Sequence, residues 1–283
     1  MPRRRTLKNL YIILLFAFGF SQDHSIHFDY MSGYAESVLS AQQTFDNNES
    51  FTVEVWYKND GVDSGNNVEY DDQAMIVGSY NRAPGDPYNN FNLKIYSPIE
   101  SNAGKAYADH NAMSTNQIDD GLWHHIAATY TANGSNSYST SIYIDGQLND
   151  TNIGQAEWDH ISSNNKIRIN NHSPSAGDHM LDCYIAGLKI SSGIEYASSF
   201  NPAFPFTNNE NTLVNLDFSN GSSSALDNLS NSSNNFNLHG SYQWVADVPT
   251  YLIYGCIDSN SCNYNSDATE DDGSCLSNDC AGV

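Results

Sequence analysis

Basic residues are scarce in this 283-residue chain: 11 Lys and Arg stand against 33 Asp and Glu, a formal net charge of −22. Four of the 11, Arg3, Arg4, Arg5 and Lys8, sit near the N-terminus where there is no acid, so the rest is more negative still. A surface of this sign repels nucleic acid and anionic lipid, which argues against both as partners. The charge suits solubility in salty water or the binding of cations through carboxylates. Long apolar runs are missing too. The segment Leu10 to Phe20 has 11 residues, whereas a bilayer crossing takes about 20, and no later segment is apolar enough to span. There is no long apolar stripe at helical spacing. Up to the last 30 residues the only cysteine is Cys183, so a core there must hold without covalent staples. Nucleophile elbows, phosphate loops and His-rich zinc signatures are absent as well.

What is present at the N-terminus reads as an export signal. Arg3 to Lys8 is a basic region, Leu10 to Phe20 an apolar one, and Gly19-Phe20-Ser21 offers small residues for cleavage. Residues 1–21 are therefore expected to be removed, leaving Gln22 as the first residue of a secreted or cell-surface protein with no transmembrane segment. The opposite end carries Cys256, Cys262, Cys275 and Cys280. Such clustering marks a small second unit held by covalent staples in an oxidising compartment. Two disulfides are expected among these four, with the three possible pairings open and Cys183 a small buried thiol.

Between the ends, short alternating segments are separated by turn-rich loops. Phe51, Val53 and Val55 share one face of a strand, as do Phe91, Leu93 and Ile95, then Ile167 and Ile169, then Val214, Leu216 and Phe218. His124, Ile126, Ala128 and Tyr130 point one way, and Trp123, His125, Ala127 and Thr129 the other. Ile142 and Ile144 follow on a second strand, and Asp145-Gly146 is a strong hairpin signal. Neighbouring strand residues face opposite sides, so His124 and His125 cannot chelate one ion. Many short antiparallel strands predict a β-sandwich or barrel.

The stretch Gly121-Leu-Trp-His-His-Ile-Ala-Ala-Thr-Tyr130 with Ser141-Ile-Tyr-Ile-Asp-Gly-Gln-Leu148 resembles the W-H-H-V-A-x-T-Y…L-Y-V-D-G pattern of laminin-G-like domains. Ser25 to Asp29, Phe51 to Lys58, Tyr184 to Ser191 with Gly193 to Tyr196, and Thr212 to Phe218 resemble further strands of that family in the same order. The resemblance implies an all-β fold, an antiparallel jelly-roll β-sandwich of concanavalin A type, in a secreted binding module. It also makes His124 and His125 framework residues. One departure stands out: the family's acidic pair after Y-I is Ala186-Gly187 here, so no role of that pair carries over. Glycosidases of this fold carry E-x-D-x-E on one strand, and the nearest run, Glu69-Tyr-Asp-Asp72, lacks the last acid. The tail from Gly255 to Cys275 resembles a G-C-x-D-x-x-A-C-N-Y…D-D-G-S-C repeat of secreted bacterial proteins. Asn278 to Val283 resembles the start of a further repeat, as in a fragment. The expected organisation is a signal over 1–21, the jelly roll over 22–249, a linker over 250–254 and a cysteine-rich unit over 255–283.

Two candidate sites follow. The loop holding Tyr80, Asp86, Tyr88 and Asn90, with Trp158 as a second position, mixes rings, amides and a carboxylate as sugar sites do; it also fits a plain surface loop of a Tyr- and Asn-rich protein. Asp258, Asp267, Asp271 and Asp272 offer hard oxygen ligands that suit Ca²⁺, or cap turns in a disulfide-held segment. The expected function is exported, non-catalytic binding or adhesion, directed at glycan or an extracellular surface protein, with calcium as a candidate cofactor. A structural envelope or adhesin segment with protein contacts only is the alternative, and a carbohydrate-active enzyme the third.

Overall fold

A computed structural model describes residues 22–29, 32–44, 49–59, 73–79, 91–96, 102–108, 112–134, 137–152, 166–171, 180–250, 254–265, 268, 270–271 and 273–276. Two antiparallel sheets face one another. The first runs β10 (Gln147–Asn152), β9 (Ser137–Ile144), β8 (His124–Gly134), β3 (Phe51–Asn59), β12 (Cys183–Ser192), β1 (Ser25–Phe28) and β16 (Tyr242–Val245), with β13 (Thr212–Asn215) also pairing with β12. The second runs β14 (Ala225–Leu226), β15 (Phe236–His239), β2 (Tyr34–Ser40), β11 (Lys166–Ile169), β4 (Gln73–Ser79), β5 (Asn92–Tyr96), β6 (Ala106–Ala108) and β7 (Ala112–Met113). One helical turn, α1 (Ala41–Thr44), follows β2. It starts on a capping box, in which Ser40 Oγ accepts from the Gln43 N–H and Gln43 Oε1 from the Ser40 N–H. The expected all-β jelly-roll sandwich is the fold that forms.

Sequence period sets the core. Phe51, Val53, Val55 and Tyr57 of β3 are buried between the sheets, meeting Ile126, Ala128 and Tyr130 of β8. From the other side come Val77, Leu93, Ile95, Ile167, Ile169 and Phe236. Phe51 stacks on Tyr130 at 4.5 Å between centroids and meets Phe91 edge-on at 5.6 Å. Each ring removes a large apolar area from water and adds a geometric preference. Every alternating segment singled out in the sequence points its apolar face into this layer, Val214, Leu216 and Phe218 included.

One irregularity positions what lies outside. β12 shifts register between Ile185 and Gly187, inserting Ala186 as an extra residue. Cys183 and Ile185 face inward before the bulge, Leu188 and Ile190 after it. A bulge of one residue changes the parity of a strand, which is how both pairs reach the same core. Cys183 is buried there and unbonded, and burial pushes its thiol pKa well up. In the tail, β17 (Tyr254–Gly255) runs parallel to β18 (Glu270–Asp271), and a disulfide joins Cys256 to Cys275.

The Asp145-Gly146 turn has positive φ at both residues, 49° and 74°, as a two-residue hairpin requires. Gly146 is held twice over, because its carbonyl accepts the Phe200 N–H at 2.8 Å and a Cβ there would lie 1.9 Å from the Phe200 carbonyl oxygen. Gly134→Ala, whose methyl meets nothing within 4 Å, should cost only the ~1–2 kcal/mol of a left-handed alanine. Gly146→Ala should cost about 3 kcal/mol or more, since backbone must also move. Urea unfolding of the two variants checks the difference.

Candidate functional site

The outer face of the first sheet is covered over much of its area. Strand β3 is buried on both faces from Phe51 to Tyr57, which a solvent-facing strand would not be. The cover is the segment 193–209, a strap of aromatic residues laid across β3, β8, β9 and β12. Trp56 donates its indole N–H to the Ala203 carbonyl at 3.0 Å, and the Tyr143 hydroxyl donates to the Tyr196 carbonyl at 3.0 Å. Phe200 and Phe206 both meet the His125 ring edge-on, at 5.6 and 5.7 Å. Phe206 also sits where a Cβ on Gly187 would come within 3.0 Å of it, and Ala186 is buried beside Trp56 and Phe206. The acids that the family resemblance places at these two positions would be buried under a ring here.

Beneath the strap lies a buried charged cluster. His125 Nε2 is 3.1 Å from Glu54 Oε2, the Tyr196 hydroxyl donates to the same oxygen at 2.7 Å, and Lys189 Nζ lies 3.1 Å from Oε1. Glu54 is 1% exposed, His125 0% and Lys189 6%. Burial on its own raises the Glu54 carboxyl, but the bond and charge of His125, then Lys189 and Tyr196, outweigh it and hold the pKa below the ordinary 4.5. Burial, then the Glu54 charge, pushes the Tyr196 phenol up. The cluster fastens the strap to the sheet, since Tyr196 of the strap bonds to Glu54 of β3. Glu54→Gln leaves the buried Lys189 ammonium without its counter-charge, so urea unfolding should show a loss of about 3–5 kcal/mol. A depressed carboxyl also stabilises the fold above about pH 4.5 and less as pH falls through its folded value, so the wild type should lose stability in acid and the variant less steeply.

Past the strap the same face opens into a cleft of about 700 Å³. Trp123, Leu122 and Pro202 give it apolar walls, and Lys58, Asp145 and Asp247 line it with charge. The Trp123 indole N–H donates to Asp247 Oδ1 at 3.0 Å, and the Lys58 ammonium pairs with Asp247 Oδ2. Lys58 Nζ also lies over the Tyr184 ring at 4.2 Å and the Trp123 ring at 5.3 Å. His27 stacks on Tyr184 at 4.4 Å and reaches Asp182 through Nε2 at 2.5 Å. Partial burial raises the Asp247 carboxyl, but the bonds from Lys58 and Trp123 override it and keep its pKa below the usual value.

At the rim, His124 Nδ1 lies 2.8 Å from Asp145 Oδ2 and Nε2 3.2 Å from Asp120 Oδ1. Asp145 Oδ1 accepts the His125 N–H at 2.9 Å. Burial lowers the His124 pKa, but Asp145 and then Asp120 raise it more, to above the ordinary 6.5. A raised histidine contributes stability that is complete below about pH 6.5 and lost as pH rises through the folded value. NMR titration of His124 should give a midpoint above 6.5, moved down by Asp120→Asn.

The residues read from the sequence as sugar contacts, Tyr80, Asp86, Tyr88, Asn90 and Trp158, lie outside the described residues, as do the expected export signal 1–21, Asp267, Asp272 and Cys280. Of the remaining tail acids, Asp258 Oδ1 accepts the Asn260 N–H at 2.9 Å, which is the turn-forming bond of an Asx motif. Asp271 contributes its backbone to β18. Cys262 is disulfide-bonded. The cleft was missed because Lys58 and Asp247 are 189 residues apart. A signal existed: Trp56 and Lys58, two apart, must share the outer face once Val55 and Tyr57 face inward.

Two antiparallel sheets packed face to face define a β-sandwich. Residues 32–194 match a laminin G model of the concanavalin A-like lectin/glucanases superfamily, and the chain belongs to that family. No curated protein matches the sequence. Among solved structures, the chain is similar to a Bacteroides ovatus protein for which carbohydrate binding has been proposed, with a TM-score of 0.56 at 13% identity over 79% of this chain. The match spans 59% of the Bacteroides protein's length. The carbohydrate-binding module CBM40 of Ruminococcus gnavus IT-sialidase matches with a TM-score of 0.41 at 13% identity, over 59% of this chain and 90% of the module. The heptameric SAP-like pentraxin of Limulus polyphemus matches at 0.40 and 14%, over 60% and 76%. At such identities the likeness shows the fold alone.

Proposed function

We propose that this chain is an exported, non-catalytic glycan-binding module whose sugar lies in the cleft lined by Leu122, Trp123, Pro202 and Asp247. The observation that carries the reading is the pairing of apolar walls at Leu122, Trp123 and Pro202 with converging charged groups in a space of about 700 Å³. A cavity of roughly 300–1,000 Å³ with apolar walls and a few placed polar groups is the usual form of a small-molecule site. The C–H face of a pyranose packs on an apolar wall, and its hydroxyls donate hydrogen bonds to the remaining lone pairs of the half-exposed Asp247 carboxylate. The family and the fold shared with a Bacteroides protein proposed to bind carbohydrate support the same reading.

Binding rather than hydrolysis follows from how the carboxylates are used. Glycosidases of the common two-carboxylate type need one acid held protonated and a second to act as base or nucleophile. Asp247 is held ionised by Lys58 and Trp123, and both oxygens of Asp145 are engaged, by the His125 N–H and the His124 ring. Neither is disposed as a proton donor. Export rests on the basic and apolar pattern of residues 1–21.

The chain lacking residues 1–21 should bind a defined subset of glycans on an array. Calorimetry with a glycan so found should show at least about tenfold weaker binding for Trp123→Ala, the scale of a lost aromatic anchor, with the far-ultraviolet β spectrum retained. Release of reducing sugar would overturn the non-catalytic reading, and an array without hits would overturn glycan as the ligand. Mass spectrometry of secreted protein should find Gln22 as the first residue.

A further inference from the structure

The charge arrangement of the cleft goes further than its shape. Among the described residues, Lys58 is the one basic residue lining it, beside Asp145 and Asp247. That single cation is already spent: its ammonium pairs with Asp247 and lies over two aromatic rings, and the side chain is only 15% exposed. The carboxylates are the more open groups. Asp247 is 44% exposed, Asp145 48%, and Asp120 on the rim beside His124 47%. Around them lies a chain with a net charge of −22.

From this we infer that the cleft takes uncharged glycans and rejects sialylated, sulfated or uronic-acid-bearing ones. The inference rests on the glycan-binding reading above and names its ligand class. Two physical arguments support it. An acidic sugar group entering the cleft meets carboxylates whose repulsion is not offset by an available cation, and like-charge contacts in a partly dry site are costly. Hydrogen-bond polarity points the same way. The Trp123 N–H is already donated to Asp247, so the cleft is richer in acceptors than in donors. A sugar hydroxyl can donate to those acceptors, whereas a sialyl carboxylate or a sulfate can only accept. His124, when protonated, offsets only one of the two carboxylates that share its ring, Asp120 and Asp145.

The test is an array carrying neutral oligosaccharides beside sialylated and sulfated forms of the same structures, followed by calorimetry on the best pair. Neutral forms should bind at least about tenfold tighter than their acidic counterparts at low salt. The gap should narrow between about 0.02 and 0.5 M NaCl, because screening weakens repulsion between partly exposed charges. Asp247→Asn releases the Lys58 charge and should shift the neutral-to-acidic affinity ratio toward the acidic form. The salt series needs no variant, so the test stands if that protein fails to fold. Equal or tighter binding of the acidic forms would overturn this inference and leave the glycan reading intact. No binding to either form would overturn both.

Discussion

Glu54 ties together four parts of the chain that are far apart in sequence. Its carboxylate sits on the outer face of β3 and is met by His125 from β8, Lys189 from β12 and Tyr196 from the strap. A charge buried to this extent is tolerable only when its partners surround it. The geometry therefore requires that neighbouring strands be in register and the strap be in place. Tyr196 in turn stacks on Phe200 at 3.4 Å, and Phe200 is hydrogen-bonded to the Gly146 turn. Where the strap passes Pro202, the cleft begins.

Small backbone features make room for this cover. The extra residue in β12 keeps the inner face of that strand apolar on both sides of the bulge, while presenting Ala186 and Gly187 outward where Phe206 lies. The Asp145-Gly146 turn does two jobs. It closes the β9–β10 hairpin, and its missing side chain lets the strap carbonyl of Phe200 approach. Asp145 adds a third contact, holding His124 and the start of β8 at the cleft rim.

The electrostatics of the cleft follow from the same layering. Asp247 arrives from beyond the last strand of the first sheet, next to Ser25, which donates to its backbone carbonyl at 2.5 Å. It meets Lys58 at the end of β3, where the strap no longer covers the face. One cation is thus consumed within the protein, and the walls left for a ligand are apolar or acidic. Among the described residues lining the cleft, Lys58 is the only cation, and it is paired with Asp247.

Much of the fold was legible in the sequence, because strand alternation and the Asp-Gly turn are local. The period of two assigned Phe51, Val53 and Val55, Leu93 and Ile95, and Ile167 and Ile169 to the core, and the sheets place them there. The same parity rule separated His124 from His125 and dismissed a shared metal. The site was less legible. The Tyr- and Asn-rich loop near Tyr88, where composition concentrates rings and amides, lies outside the described residues. The cleft joins Lys58 to Asp247 and depends on which part of the outer face the strap leaves open. Sequence patterns decided which residues face inward, because side-chain direction along a strand is set by the backbone of the strand itself. Only the tertiary structure decided that Glu54, His125 and Lys189 are buried while Trp123 and Asp247 line a cleft, because burial of an outer face depends on a distant segment folding back across it.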